Sequence, residues 1–152
     1  MAMEVTALTN GTVIDHIPPG KGIVVYSLLG GAGNGGESVL LTNAKSARLG
    51  RKDMVKMEDV FVDEKSSDII SLIAPDATIN TIRGGKLAEK HQVKMPKQVT
   101  GYLKCLNPNC VTNADREPLK TSFSVTGNPL RLKCDYCDKE YNERLVTRVS
   151  EL

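Results

Sequence analysis

Tryptophan is absent from this chain of 152 residues, and phenylalanine occurs only twice. A core without large aromatic anchors must be packed from Val, Ile and Leu, and the length suits one ordinary domain or two small ones. His16 and His91 are the only histidines, and no Ser/His/Asp constellation can be assembled around them. A dominant charge of one sign is also lacking. Lys plus Arg total 20 against 18 Asp plus Glu, a formal net charge of +2, with no long basic run, so bulk electrostatics do not argue for a nucleic-acid binder. The opening MAMEVTALTNGTVIDHI has neither the basic flank nor the continuous apolar core of a secretory signal. The most apolar stretch, Ile23 to Leu29, falls far short of the ~20 residues that span a bilayer. The expectation is a soluble, cytoplasmic chain without a membrane partner. No glycine-rich loop opens a helix with dinucleotide-binding or P-loop spacing, since Gly30 to Gly36 follows a predicted helix and carries no Lys-Ser or Lys-Thr.

All four cysteines lie beyond residue 104. Their spacing is Cys105-x4-Cys110, a gap of twenty-three residues, then Cys134-x2-Cys137. Each pair sits on a turn-forming segment, CLNPNC and CDYC. Two such knuckles can bring four thiolates to the corners of a tetrahedron around one zinc ion, with no position left for water or substrate. The site is closed, and therefore structural. Two disulfides, or a redox-active Cys134-x2-Cys137 pair, fit poorly with a reducing compartment and with the matched loops. Iron would accept the same ligands.

That asymmetry divides the chain. Lys94 to Gln98, polar and proline-containing, reads as a junction between residues 1–97 and 98–152. The first part, of about a hundred residues, can sustain its own core, whereas one of about fifty needs a metal or disulfides. A first strand is predicted over Glu4 to Leu8, continuing as extended chain over Thr12 to Ile17, and further strands over Ser38 to Thr42, Met54 to Glu58, Ala77 to Ile82 and Lys86 to Val93. The last two are joined by a glycine turn at Gly84-Gly85. Helices are predicted over Gly22 to Leu29 and from an Asp63 cap to just before Pro75, with Ile69, Ile70, Leu72 and Ile73 inward. The resulting order β-α-β-β-α-β, with an additional strand, is the split-βαβ pattern of a ferredoxin-like α/β sandwich. Short strands over 100–104, 121–126, 130–133 and 143–149 make the second part a small all-β zinc-binding domain. The fold class is thus α+β.

Three polar segments stand out in the first part: GTVIDHIP with Asp15 and His16, GRKD followed by Lys56, and APDATINTI with Asn80. Lys90 lies on the next strand. Singly, each reads as an ordinary solvated surface feature. Together with the cysteine knuckles, NGTVIDHIP, LGRKD, IAPDATIN, CLNPNC and CDYC followed by Lys139-Glu140 resemble the regulatory chain of aspartate carbamoyltransferase nearly end to end.

The resemblance implies a non-catalytic subunit with an N-terminal allosteric domain and a C-terminal zinc domain that docks on the catalytic chain. It implies CTP as inhibitor, ATP as activator and UTP as a further effector. It also implies pairing into regulatory dimers, with three such dimers joining two catalytic trimers in pyrimidine synthesis. Carried over residue by residue, Asp15 would accept from base or ribose and His16 would contact phosphate. Lys56 would face ribose and phosphates, and Lys90 the triphosphate, with Asn80 beside them. Val5, Ala7, Leu8, Val13 and Ile82 would form the wall that reads the base edge. A triphosphate needs concentrated cations, and a base needs backbone donors and acceptors beside an apolar slot. Gly85 stands where the family commonly has a larger, often aromatic residue. An alternative reading, a zinc-ribbon nucleic-acid adaptor, would use Lys133, Lys139, Arg144 and Arg148 as phosphate contacts but leaves the first domain unexplained.

Overall fold

A computed structural model of the chain describes residues 8–30, 36–47, 50–114, 119–127 and 129–147. Five strands, β1 Gly11–Ile17, β2 Ser38–Ser46, β3 Gly50–Glu58, β4 Thr78–Arg83 and β5 Lys86–Gln92, form one sheet in the order β2-β3-β1-β4-β5. Every neighbouring pair is antiparallel. Helices α1 Gly22–Leu28 and α2 Glu64–Ile73 connect β1 to β2 and β3 to β4. This is the predicted ferredoxin-like sandwich, and β5 is the additional strand. Gly84 and Gly85 make its turn at φ +61° and +77°, where residues with a Cβ are strained.

Alternation along the strands sets which face is covered. Ile14, Val55 and Ile79 lie opposite one another across β3, β1 and β4 and are essentially fully buried with Val25 of α1 and Ile70 of α2. The intervening residues project to the other face. Asp63 caps α2 by accepting from the Ser66 amide at 2.7 Å, and that hydrogen bond holds its carboxyl below the usual range.

Strands β6 Gln98–Thr100, β7 Ser122–Thr126, β8 Arg131–Cys134 and β9 Glu140–Tyr141 form a second antiparallel sheet in sequential order, followed by a short helix, α3 Arg144–Thr147. Its core of Val99, Leu103, Phe123, Leu132, Leu145 and Val146 is continuous with Ile69, Leu72 and Ile73 of α2, and Val24 and Leu28 of α1 pack against it. The helices are therefore buried on two sides. Each large aliphatic side chain removed from water there contributes about 1.5–3 kcal/mol.

Two strand expectations in the second part are corrected. The segment expected as a strand over 100–104 pairs only through Thr100, because Gly101 turns the backbone to φ +83°. The strand expected over 143–149 is instead α3 where it is described, with 148–149 outside the described residues. Asn142 accepts from the Arg144 amide at 3.0 Å through its side chain and from Leu145 at 3.1 Å through its carbonyl. Leu145 and Val146 are both buried, which a helical turn permits and an alternating strand does not. Most of the strand predicted at Glu4 to Leu8, and most of the loop at Gly30 to Gly36, also lies outside the described residues.

Candidate metal centre and effector face

The four thiols converge at one end of the second sheet. Cys105 and Cys110 flank a loop closed by Asn113, whose Nδ2 donates to the carbonyls of Cys105 at 2.9 Å and Asn107 at 2.7 Å. Cys134 ends β8, and Cys137 follows on the next turn. Their sulfurs all lie within 4.8 Å of one another, with Cys105–Cys137 and Cys110–Cys134 each at 3.7 Å. A tetrahedron with zinc–sulfur bonds of about 2.3 Å has edges of about 3.8 Å, so the donor set fits one ion. The separation is also far beyond a disulfide bond of about 2.05 Å, and all four cysteines are free.

The surrounding hydrogen bonds hold the ligands in place. The Leu106 amide donates to the Tyr141 oxygen at 3.1 Å, leaving the hydroxyl proton for the Cys105 sulfur at 3.3 Å. Asp135 accepts from Ser122 and Ser124 Oγ, each at 2.5 Å, and from Gln98 Nε2 at 3.0 Å, tying the second knuckle to β6 and β7. Without metal, burial pushes the Cys134 thiol up to about 12. A hydrogen bond with Asn107 draws Cys137 down to about 6. The ion must displace a proton from Cys134, so metal affinity falls as pH falls.

The sequence-selected polar residues of the first domain gather on the sheet face turned away from the helices. Val39, Lys56, Val13, Asn80 and Lys90 form one cross-strand row through β2, β3, β1, β4 and β5, and directly opposed residues share a face. Lys56 and Lys90 are three inter-strand steps apart, roughly 14 Å at the backbone. Asn80 Nδ2 donates to the Val13 carbonyl at 3.2 Å. Lys56 is 9% exposed. Among the described residues, neither Lys56 nor Lys90 has a carboxylate within ion-pair distance.

Asp15 and His16 sit at a bulge in β1, where the register with β3 shifts between Ile14 and Ile17. His16 takes φ +61°, a strained setting for a side-chain-bearing residue. Its amide donates to Asp15 Oδ1 at 2.7 Å, and its Nδ1 is 3.1 Å from Thr78 Oγ1. Burial disfavours the Asp15 carboxylate, but the Lys52 ammonium at 2.9 Å and the His16 amide outweigh it and hold its carboxyl below the usual range. Ile82 lies opposite Gly11, at the end of the same pair of strands. Leu8 is half-buried, and Val5 and Ala7 lie outside the described residues.

Residues 3–94 match the family model described as the aspartate carbamoyltransferase regulatory chain, allosteric domain, and residues 97–147 match the metal binding domain of the same chain. The chain belongs to the aspartate carbamoyltransferase regulatory chain family. The regulatory chain of Saccharolobus solfataricus is 46% identical over 145 residues, covering 95% of this chain and 91% of that protein. The regulatory chain of Pyrococcus horikoshii is 45% identical over 146 residues, covering 95% of each. As an aspartate carbamoyltransferase regulatory chain, the protein is non-catalytic and has the catalytic chain as its partner. Its metal-binding domain brings four thiols close enough to hold one ion, a donor set that fits a structural zinc. No helix among the described residues is long and apolar enough to cross a membrane.

Within this regulatory chain, two neighbours in the GRKD segment matter more than the sequence indicated. Lys52 pairs with Asp15 on the open face, whereas the adjacent Asp53 points inward and is fully buried. Asp53 Oδ2 accepts from the amides of Gly20 and Gly22, each at 2.9 Å, and Oδ1 from Asn43 at 2.8 Å. A Cβ on Gly22 would stand 2.7 Å from Asp53 Cβ, so glycine is required for this approach. The signal in the sequence was a charged residue at an inward position of a strand. Asp53→Ala orphans three amides and should lower unfolding free energy by roughly 3 kcal/mol or more, measured by urea denaturation of the zinc-loaded chain. A change below about 1 kcal/mol, the net worth of one ordinary hydrogen bond, would contradict this role. The cations named for the nucleic-acid alternative are partly engaged. Lys133 is 3.7 Å from Asp138 and Lys139 lies 5.7 Å from the Tyr141 ring centroid, while Arg148 is outside the described residues.

Proposed function

We propose that residues 1–97 bind nucleotide effectors on the open sheet face and that residues 98–152 carry the response to the catalytic chain. CTP acts as inhibitor and ATP as activator of pyrimidine biosynthesis, with UTP as a further ligand of the same face. The single observation that carries this reading is the Lys56–Val13–Asn80–Lys90 row. It sets two cations without carboxylate partners among the described residues on either side of a strand that bears apolar and amide groups. Phosphate is the anion such a spread of charge suits, because one cation cannot neutralise a triphosphate. Asp15 and His16 stand at the end of β1, where ribose or base and phosphate would meet them, and Leu8, Val13 and Ile82, with Val5 and Ala7, supply the wall.

The assembly we infer has regulatory chains paired as dimers, three of which join two catalytic trimers in the cytoplasm. Isothermal titration of the zinc-loaded chain with CTP, ATP and UTP tests the binding half. CTP and ATP should saturate one site per chain and compete with each other. Independent binding of the two, or no heat with either, would contradict it.

A further inference from the structure

We infer that the Lys21–Glu143 ion pair, anchored by Asp53, is a switch contact through which occupancy of the open sheet face biases the zinc domain. This rests on the effector-face reading above and adds to it the residues that carry regulation. Four observations place them in one line. Lys52 Nζ grips both carboxylate oxygens of Asp15, at 2.9 and 3.0 Å, on the open face. Asp53, the next residue of β3, holds the Gly20 and Gly22 amides from the other face. Lys21 lies between those glycines, its own amide fixed to the Pro18 carbonyl at 3.0 Å. Its Nζ meets Glu143 Oε1 at 2.9 Å, immediately before α3, and Leu145 and Val146 of that helix are buried in the core shared with α2.

The chemistry of the open face makes the first link responsive. Both Asp15 oxygens are already engaged, one of them by two donors. An anion that recruits the Lys52 ammonium, or a hydroxyl that takes up Asp15, must therefore loosen their pair. The backbone at Lys52 and Asp53 is shared, so a shift there moves the acceptor of the Gly20 and Gly22 amides. Those two contacts leave the turn little freedom of its own, because a buried carboxylate cannot release its donors without cost. Lys21 then moves with the turn and changes its reach to Glu143.

A ligand changes an equilibrium only through differential interaction with two states. The ion pair meets that requirement if it forms in one arrangement of the two domains and not in the other. Coupling, binding and stability are separate quantities, each with its own readout.

The test uses the full chain assembled with the catalytic chain, as wild type, Lys21→Glu, Glu143→Lys and the double exchange. The readouts are the CTP-induced shift in aspartate half-saturation and, separately, CTP affinity of the free regulatory chain. Each single variant should reduce the CTP-induced shift by about two- to fivefold, the reach of one partly exposed ion pair. CTP affinity of the free chain should remain at the wild-type value. The exchange should restore most of the response, which a merely structural role for either side chain would not produce. A wild-type response in both single variants, or a double exchange as unresponsive as they are, overturns the switch while leaving the effector reading intact. Failure of the wild-type chain to bind CTP at all overturns both.

Discussion

Cys110→Ala or Cys137→Ala should yield a chain that holds no zinc and has lost the β6–β9 sheet. Three thiols cannot complete the closed tetrahedron, and zinc at such sites supplies on the order of 10 kcal/mol of apparent folding free energy. A core built on Val99, Leu103, Phe123 and Leu132 cannot replace that amount in so small a unit. The structure adds a consequence for the first domain. Ile69, Leu72 and Ile73 of α2 belong to the same core, so loss of the second sheet uncovers an apolar helix face. The β1–β5 sheet should persist, because Ile14, Val55, Ile79 and Ile70 form a core without any zinc-domain residue. Metal analysis combined with amide hydrogen exchange measures this. Protection should disappear from 98–147, decline in α2 and remain in β1, β3 and β4. Retained protection at Phe123 and Leu132 in a zinc-free variant would refute the assignment of the metal as the organiser of this domain.

That outcome depends on features of unequal visibility in the sequence. The cysteine knuckles are local, so spacing alone identified their chemistry. The split-βαβ order was legible because alternation and glycine turns mark each strand. The inward burial of Ile69, Ile70, Leu72 and Ile73 was legible, and all four are buried. Their division between two cores, Ile70 with the first sheet and the other three with the second, depends on how the second sheet packs on α2, which no local pattern records. The separate roles of Lys52 and Asp53 were not legible because the strand predicted from Met54 starts at Gly50 in the structure, and only that extension sets the two side chains on opposite faces. The sequence predicts a strand where α3 forms because Leu145 and Val146 are a short apolar pair, compatible with either period until its partners are known.

Lys56→Ala should produce the largest change on the effector face. Its side chain lies against the sheet at 9% exposure, and among the described residues no carboxylate neutralises it. A charge-assisted contact to phosphate or ribose from such a position is worth about 1.5–3 kcal/mol, which corresponds to roughly ten- to a hundredfold in affinity. Because the contact is to groups that CTP and ATP share, both should weaken together. Lys90→Ala should weaken both nucleotides as well, and less strongly, since Lys90 is exposed on the outermost strand of the row. Titration calorimetry on the zinc-loaded chain measures the loss. Selective loss of one nucleotide would move Lys56 to the base, and unchanged affinity in both variants would remove the row from the site.

The central claim is that this non-catalytic chain converts nucleotide binding into control of a partner's active site. It is tested most directly by mixing the zinc-loaded chain with aspartate carbamoyltransferase catalytic trimers and recording aspartate saturation with CTP, with ATP and with neither. The regulatory chain alone should transfer no carbamoyl group. The assembly should show half-saturation moved to higher aspartate by CTP and to lower aspartate by ATP, with a coupling of about 1–3 kcal/mol. An assembly that forms stably yet gives superimposable curves under all three conditions would contradict the account.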